Sequence, residues 1–284
     1  SKHRLLTAHT DTLGAMVKEI KSNGRIKLSL VGGFSWNAME GESCFIHTSS
    51  GKKIRGTILL HQTSVHVYKN SGSIERNAEN MEIRIDEKVF SKDDTGKLGI
   101  EVGDFVSFDP RFEHTESGFI KSRHLDDKAS VAALLGLLES IKREGWKPLH
   151  NLSLLISNYE EVGHGASWIP EGIQEMIAVD MGAMGDDLSC KETDVSICAK
   201  DSSGPYDYAM TGRLIELANA LAVPFAVDIY PQYGSDASAA LRGGNNIRAA
   251  LIGPGVHASH SMERTHKQAV INTAKLLAAY VGAN

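Results

Sequence analysis

The sequence has no apolar run approaching the roughly 20 residues that a membrane-spanning helix requires. Its longest candidates, such as Val131–Leu138, have the length of a core helix segment. Cysteine is scarce: Cys44, Cys190 and Cys198 are few, odd in number and not in a zinc spacing. That argues against a disulfide framework and fits a reducing compartment, so a cytoplasmic location is expected. Basic charge is not in surplus either, with 30 Lys+Arg against 35 Asp+Glu and a formal net charge of −5. A nucleic-acid-binding face needs clustered cations, so neither nucleic acid nor membrane is an expected partner. Internal repeats, low-complexity linkers and methionine stripes are lacking too. No secretory pattern marks the first residues, but "RLLTAHTD" (residues 4–11) reads as a buried strand after only three residues, and a fold rarely opens in mid-sheet. A segment ahead of Ser1 is therefore expected.

A chain of 284 residues is one large or two ordinary domains. Folded chains of about 300 residues bury roughly 75% of their unfolded surface, so neither metal nor disulfide is needed as a staple. A metal site in such a chain would be functional, and the 12 histidines justify looking for one.

Texture divides the chain. Residues 1–14 read as a strand and a turn. Residues 15–118 hold short apolar runs split by Gly, Asn, Asp and Lys, with period-two alternation in "MEIRIDEKV", where Met81, Ile83, Ile85 and Val89 alternate with charges. Only "DDTGKLGI" suggests a helical turn there, and a small β-barrel or sandwich is expected. From 119 onward strands alternate with helices. The expected helices are Ser130–Gly145, Asp207–Ala222, Ser235–Gly244 and His266–Gly282; the expected strands are Asn151–Asn158, Glu175–Gly182, Asp194–Asp201, Pro224–Tyr230 and Ile247–Gly255. The simplest assembly is α/β, a sheet flanked by helices built from 1–14 and 119–284, with the β-rich 15–118 inserted into it.

In open α/β sheets, ligands sit at the carboxyl ends of strands. His9 and Asp11 follow the first expected strand. Asp126-Asp127 follow "GFIKSRHL", Glu160-Glu161 follow Asn151–Asn158, Asp180 follows Ile177–Val179, and a loop holding His257 and His260 follows the strand ending near Pro254. Each taken alone has a plain structural reading: an N-cap for the Asp pair, solvated surface for the Glu pair, a turn for Asp180. Together they are the donor set of borderline divalent ions, imidazole and carboxylate. Two ions about 3.5–4 Å apart need a bridging carboxylate, with terminal ligands on each side. A hydrolase also needs a carboxylate free of metal to take a proton from water. Adjacent side chains diverge, so Glu160-Glu161 offers both roles. Asp11, two residues from His9, is placed to orient its ring.

The segments "AHTD", "HLDDKAS", "EEVGHGA", "AVDMG", "GSDASA" and "HASHSMERT", in this order, resemble the glutamyl/deblocking/tetrahedral (TET) aminopeptidases, a family of dinuclear metallopeptidases with some members misnamed endoglucanases. "LGIEVGDFVSFDP" is similar to the family's inserted domain, so the likeness spans essentially the whole chain. It implies a zinc-peptidase-like mixed sheet flanked by helices, with an inserted PDZ-like β-barrel domain used in homo-oligomer assembly. It also implies an aminopeptidase acting on peptides with two divalent ions, zinc foremost and cobalt or manganese as alternatives. Carried residue by residue, it gives His9 and Asp180 to one ion, Asp126 to both, Glu161 and His260 to the other, and makes Glu160 the general base. Asp127 is expected to shape the local turn, and Asp236 in "GSDA" to serve the substrate pocket, the support around the ions or a helix N-cap. His257 competes with His260, which is favoured because Ser261 and Glu263 follow it in the family's Ser-x-Glu pattern. His164 stands where a basic or polar residue is usual, and is read as structural or pocket-lining. A deacylase of N-acyl amino acids and a metal-less assembly module are the competing functions. A glycosidase fits poorly, because its two carboxylates face each other across roughly 5–9.5 Å and make no use of the His and Asp set.

Overall fold

The computed structural model describes residues 2–282. The chain forms two units, Ser1–Thr12 with Phe112–Asn284, and Leu13–Arg111. β1 (His3–His9) opens the first. The second is a closed barrel of β2 (Gly14–Ile20), β3 (Ile26–Val31), β4 (Ser43–His47), β5 (Lys53–Leu60), β6 (Met81–Ile85) and β7 (Phe105–Phe108), in the order β2-β3-β6-β5-β4-β7. A short α-helix, α1 (Lys92–Lys97), interrupts it, N-capped by Ser91.

Alternation builds the barrel core. Val17, Ile26, Leu28, Ile46, Ile58, Met81 and Ile83 point inward and are almost wholly buried. β6 departs from the expected pattern in one respect. Glu82 is buried rather than on a wet face, because Lys21 Nζ donates to it at 2.7 Å and Arg25 covers its other oxygen. Val89 lies beyond the end of β6, so the alternation stops at Ile85.

The other unit continues with β8 (Glu113–His114), β9 (Phe119–Ser122), α2 (Leu125–Glu144), β10 (Asn151–Ser157), β11 (Glu175–Val179), β12 (Val195–Asp201), β13 (Gly204–Pro205), α3 (Tyr208–Ala220), β14 (Phe225–Ile229), α4 (Asp236–Arg242), β15 (Arg248–Pro254), β16 (Glu263–His266) and α5 (Lys267–Gly282). Its main sheet runs β10-β1-β11-β15-β12-β13, with β14 also paired to β12. The neighbours β10, β1, β11 and β15 are mutually parallel, and β12 runs against β15. Strands buried on both faces read as unbroken apolar runs. Leu6, Ala8, Ile177 and Val179 pack with α2, α3 and α5, while Leu5, Met176 and Ala178 pack with Ala237 and Ala240 of α4.

Two features differ from the sequence expectation. The strand expected in "GFIKSRHL" is β9, and it lies in a separate antiparallel sheet, β16-β9-β8, not in the main one. Its partner β16 is a four-residue stretch with no periodic signal of its own. The second helix also begins earlier than its apolar pattern, at Leu125, but the backbone at Asp126 (φ −75°, ψ 102°) and Asp127 (φ −122°, ψ 25°) is not helical. Regular helix therefore starts just after the Asp pair.

One buried ion cluster ties β1, β11 and α5 together. Glu175 accepts from Lys2 Nζ at 2.9 Å, Arg4 Nε at 3.0 Å and the Tyr280 hydroxyl at 2.8 Å. Arg4 also donates to the Tyr280 carbonyl at 2.7 Å. Burial pushes the Glu175 carboxyl up, but the Lys2, Tyr280 and Arg4 donors outweigh it and hold the group at about 2. Glu175→Ala takes the carboxylate from the buried Arg4 guanidinium. Removing one partner of a buried pair costs about 3–5 kcal/mol. The expected result is a loss of that size in a urea titration.

Candidate metal centre

Four neighbouring parallel strands deliver the ends of their chains to one edge of the sheet. β1 ends at His9. Glu160 and Glu161 stand three and four residues beyond the end of β10, Asp180 directly follows β11, and His260 lies in the loop after β15. Asp126 enters from outside the sheet, at the β9–α2 junction, where the Asp126–Asp127 peptide is cis.

Asp126 stands at the centre. Its Oδ1 lies 3.1 Å from His9 Nε2, and its Oδ2 lies 3.2 Å from His260 Nε2. Glu161 Oε2 is 3.5 Å from the same His260 nitrogen. Glu160 Oε2 is 3.7 Å from His9 Nε2 and faces the adjoining cavity. The structure thus brings His260, not His257, to Asp126. His257 pairs its backbone with Arg264 and is exposed.

Several carboxylates hold these groups in place. Asp11 Oδ1 lies 3.3 Å from His9 Nδ1, and its Oδ2 accepts from the Glu161 amide at 3.2 Å. One side chain therefore fixes the His9 ring and the start of the Glu161 turn, and leaves His9 Nε2 toward Asp126. Asp127, fully buried, accepts from the His9 amide at 3.1 Å. Asp236 accepts from Thr7 Oγ1 at 3.0 Å, the Ala166 amide at 3.0 Å and Ser157 Oγ, which links β1, β10 and the loop that carries Glu160. Its helix is capped by Ser235 instead. A Cβ on Gly165 would meet Asp236 Oδ1 at 2.3 Å, so this loop closes only over glycine. Likewise a Cβ on Gly253 would come within 1.8 Å of the Asp180 carbonyl oxygen. Tyr159, just before Glu160, and His260 itself adopt left-handed backbone (φ 65° and 63°), a conformation that non-glycine residues keep only where their surroundings impose it.

Two side chains have roles at the site that the sequence did not assign. Glu263 is completely buried and accepts from two backbone amides, Asp126 N at 2.9 Å and His260 N at 3.0 Å. In the sequence it figures only as the last residue of the Ser-x-Glu pattern after His260, with no role attached. Arg242 is the one Lys or Arg in the cavity's lining among the described residues. His164 is exposed and stacks on Tyr159, with ring centroids 5.0 Å apart.

The electrostatics are those of a negative site. Burial first, then neighbouring carboxylates, pushes Glu160 up to about 10, Glu161 to about 8, Asp180 to about 7 and Glu263 to about 8. Asp127 is raised for the same reasons. Burial also works against ionisation of Asp126, but hydrogen bonds from His260 and His9 hold it below the usual carboxylate range. Burial opposes the charged form of His9, and Asp11 and Asp126 reverse it, so that His9 binds its proton tightly. So many carboxylates need compensating positive charge to be ionised together. A divalent cation supplies it, and the residues fit one. Ligand atoms of His9, Asp126 and Glu161 lie within 4.8 Å of one another, as do those of His9, Asp127 and Asp180. Glu161 Oε1 is buried and accepts no hydrogen bond, which is anomalous for a carboxylate oxygen and ordinary for a ligand. The cavity beside them has a volume of about 370 Å³ and is lined by Met181, Ala183, Tyr233, Ser259 and the acidic groups.

Residues 1–276 match the family described as M42 glutamyl aminopeptidase. YhfE of Bacillus subtilis, a protein named as an aminopeptidase, is 60% identical over 282 residues, covering 99% of this chain and 82% of its own. The TET aminopeptidase of a marine-sediment Thaumarchaeota archaeon superposes with a TM-score of 0.88 at 17% identity, over 99% of this chain and 81% of that one. The TET1 peptidase of Pyrococcus horikoshii, described as able to assemble into a tetrahedron or a large octahedral shell, gives 0.85 at 22% identity, over 99% and 83%. No helix among the described residues is long and apolar enough to cross a membrane.

Proposed function

Because this chain belongs to the M42 glutamyl aminopeptidase family, we propose that it is a dinuclear metal-dependent aminopeptidase, removing amino-terminal residues from peptides. The observation that carries this reading is the split carboxylate of Asp126, with one oxygen toward the His9 imidazole and the other toward His260. A carboxylate with one oxygen toward each of two imidazoles is suited to bridge two adjacent ions. His9 and Asp180 would hold one ion, Glu161 and His260 the other, and Asp126 both. When bound, the ions supply Lewis acidity toward a peptide carbonyl and make a water acidic near neutral pH; zinc suits this donor set, as do cobalt and manganese.

The chain's own residues then do the proton work. Glu160 is the cavity-facing carboxylate not assigned to an ion. It takes the proton from the attacking water and delivers it to the departing amine. Acidic groups beside the cavity attract a free peptide amine, which favours cleavage at the amino end. Arg242 sets a single positive charge in the same lining. The shells described for the Pyrococcus relative support homo-oligomer assembly, for which the barrel of Leu13–Arg111 is the proposed module.

The test compares aminoacyl reporter amides with the same compounds acylated at nitrogen, before and after chelation. Cleavage confined to free amines, abolished by EDTA and restored by zinc, cobalt or manganese, is the expected result. Preference for the acylated set would favour a deacylase. Cleavage that survives exhaustive chelation would end the metal mechanism.

A further inference from the structure

Two of the proposed metal ligands are not placed by the main sheet. Asp126 precedes the regular part of α2, where the backbone is still irregular, and His260 sits six residues past the end of β15 in a left-handed conformation. Neither position is rigid on local grounds, since a histidine at φ 63° lies in a sparsely populated region and must be held there. Yet their side chains converge to 3.2 Å. Something must fix both backbones relative to each other.

Glu263 does this. It is the first residue of β16, and β16 pairs with β9 so that Glu263 stands opposite Ser122, four residues before Asp126. That pairing carries its carboxylate under the α2 entrance. One oxygen accepts from the Asp126 amide at 2.9 Å, and the other from the His260 amide at 3.0 Å. Both oxygens are thus spent on backbone donors, and Glu263 belongs to neither cluster of ligand atoms. The small sheet β16-β9-β8, which contributes no ligand, acquires a purpose: it sets the position of this clamp.

We propose that Glu263 is a positioning residue for the metal centre, a carboxylate clamp that locks the Asp126 and His260 backbones together so that their side chains meet the ions preassembled. This rests on reading the cluster as a metal centre. A carboxylate serves because it alone offers two charge-assisted acceptors to two divergent N–H groups. An amide in its place turns a donor toward one of them. Loss of a group that orients ligands typically weakens metal binding 10–100-fold.

The experiment measures binding rather than turnover. Chelator-stripped wild type, Glu263→Gln, Glu263→Asp and the remote Glu175→Gln are titrated with Co(II), followed by its visible absorption, and with Zn(II) in competition with a chromophoric chelator. Thermal melts establish that each variant is folded. The proposal expects Glu263→Gln to bind about 10–100-fold more weakly, with an altered Co(II) spectrum. Glu175→Gln should lower the melting temperature yet leave affinity and spectrum as in wild type. Glu263→Asp keeps the charge but is one methylene short, so it should weaken binding less than Gln; if the Gln variant does not fold, the Asp variant carries the comparison. Wild-type affinity and spectrum in the folded Glu263 variants would overturn the clamp. So would a loss no greater than that of Glu175→Gln. If wild type itself binds neither ion, the metal-centre reading fails, and the clamp with it.

Discussion

Glu160→Gln is expected to lower kcat by about 10³-fold, roughly 4 kcal/mol of barrier, while KM and bound metal change little. The substitution keeps the volume of the side chain and removes its ability to accept a proton. Glu160 lines the cavity beside Asp126, Glu161 and Asp180, so it is positioned where an attacking water must lose its proton. Its environment prepares it for that task. Burial, then the negative charge of Asp180, pushes its carboxyl far above the usual range, and bound cations would bring it back toward neutrality, where a general base works best. Glu161→Gln, at the next residue, should behave differently. Glu161 holds an oxygen 3.5 Å from His260 Nε2 and another without a hydrogen bond, so its loss should release metal rather than spare it. Metal content by elemental analysis beside steady-state kinetics separates the two variants. A Glu160→Gln enzyme within tenfold of wild type would remove Glu160 from the proton-transfer role.

How much of this was legible before the structure depends on range. Local pattern located α3, α5 and the parallel strands to within a residue or two at most ends, because each carries its own periodicity and its own caps, such as Asp207 accepting from the Met210 amide. Residue type and position relative to strand ends drew attention to His9, Glu160, Glu161 and Asp180, since a strand's end is a local property. Asp126 was attributed to the same sheet edge, whereas it reaches the site from β9, outside that sheet. The reason is that strand membership depends on pairing across the chain, and β16 lies some 140 residues from its partner, on the order that no short-range pattern encodes. Glu82 and Glu263 teach the same lesson from the side of charge. A glutamate's local pattern says "exposed" unless its donors are known; Lys21 and Arg25 reach Glu82, and the Asp126 amide reaches Glu263, from elsewhere in the fold, and only the His260 amide is local. Between His257 and His260, the motif after His260 favoured the latter, and the backbone shows the physical difference: His257 extends into a bridge with Arg264, while His260 turns left-handed toward Asp126.

Stripping the metal should make stability fall as pH rises from 5 to 8, and the metal-loaded protein should show a much smaller fall. The sign follows from proton counting. In the folded, metal-free chain Glu160, Glu161, Asp180 and Glu263 are shifted up to about 10, 8, 7 and 8, whereas unfolded carboxyls titrate near 4. Between those limits the folded state binds more protons than the unfolded one, so the unfolding free energy decreases with pH. The contribution is greatest below about pH 4 and is lost as each group passes its folded value. His9, also raised, acts in the same direction above its unfolded value near 6.5. Asp126 and Glu175 are shifted down, but their effect lies below pH 4 and leaves this window untouched. Bound divalent cations replace the protons as the compensating charge, so the ligating carboxylates, Glu161 and Asp180 among them, are ionised in both states and the slope becomes much shallower. Mass action adds to the gap, about 2.7 kcal/mol for a ligand at 100 times its Kd. Melting temperatures of stripped and zinc-loaded protein, taken at intervals from pH 5 to 8, should therefore diverge, with the smallest difference at pH 5 and the largest at pH 8. Parallel curves across that range would mean that the buried carboxylates are not neutralised by metal, and that their charge is balanced within the chain itself.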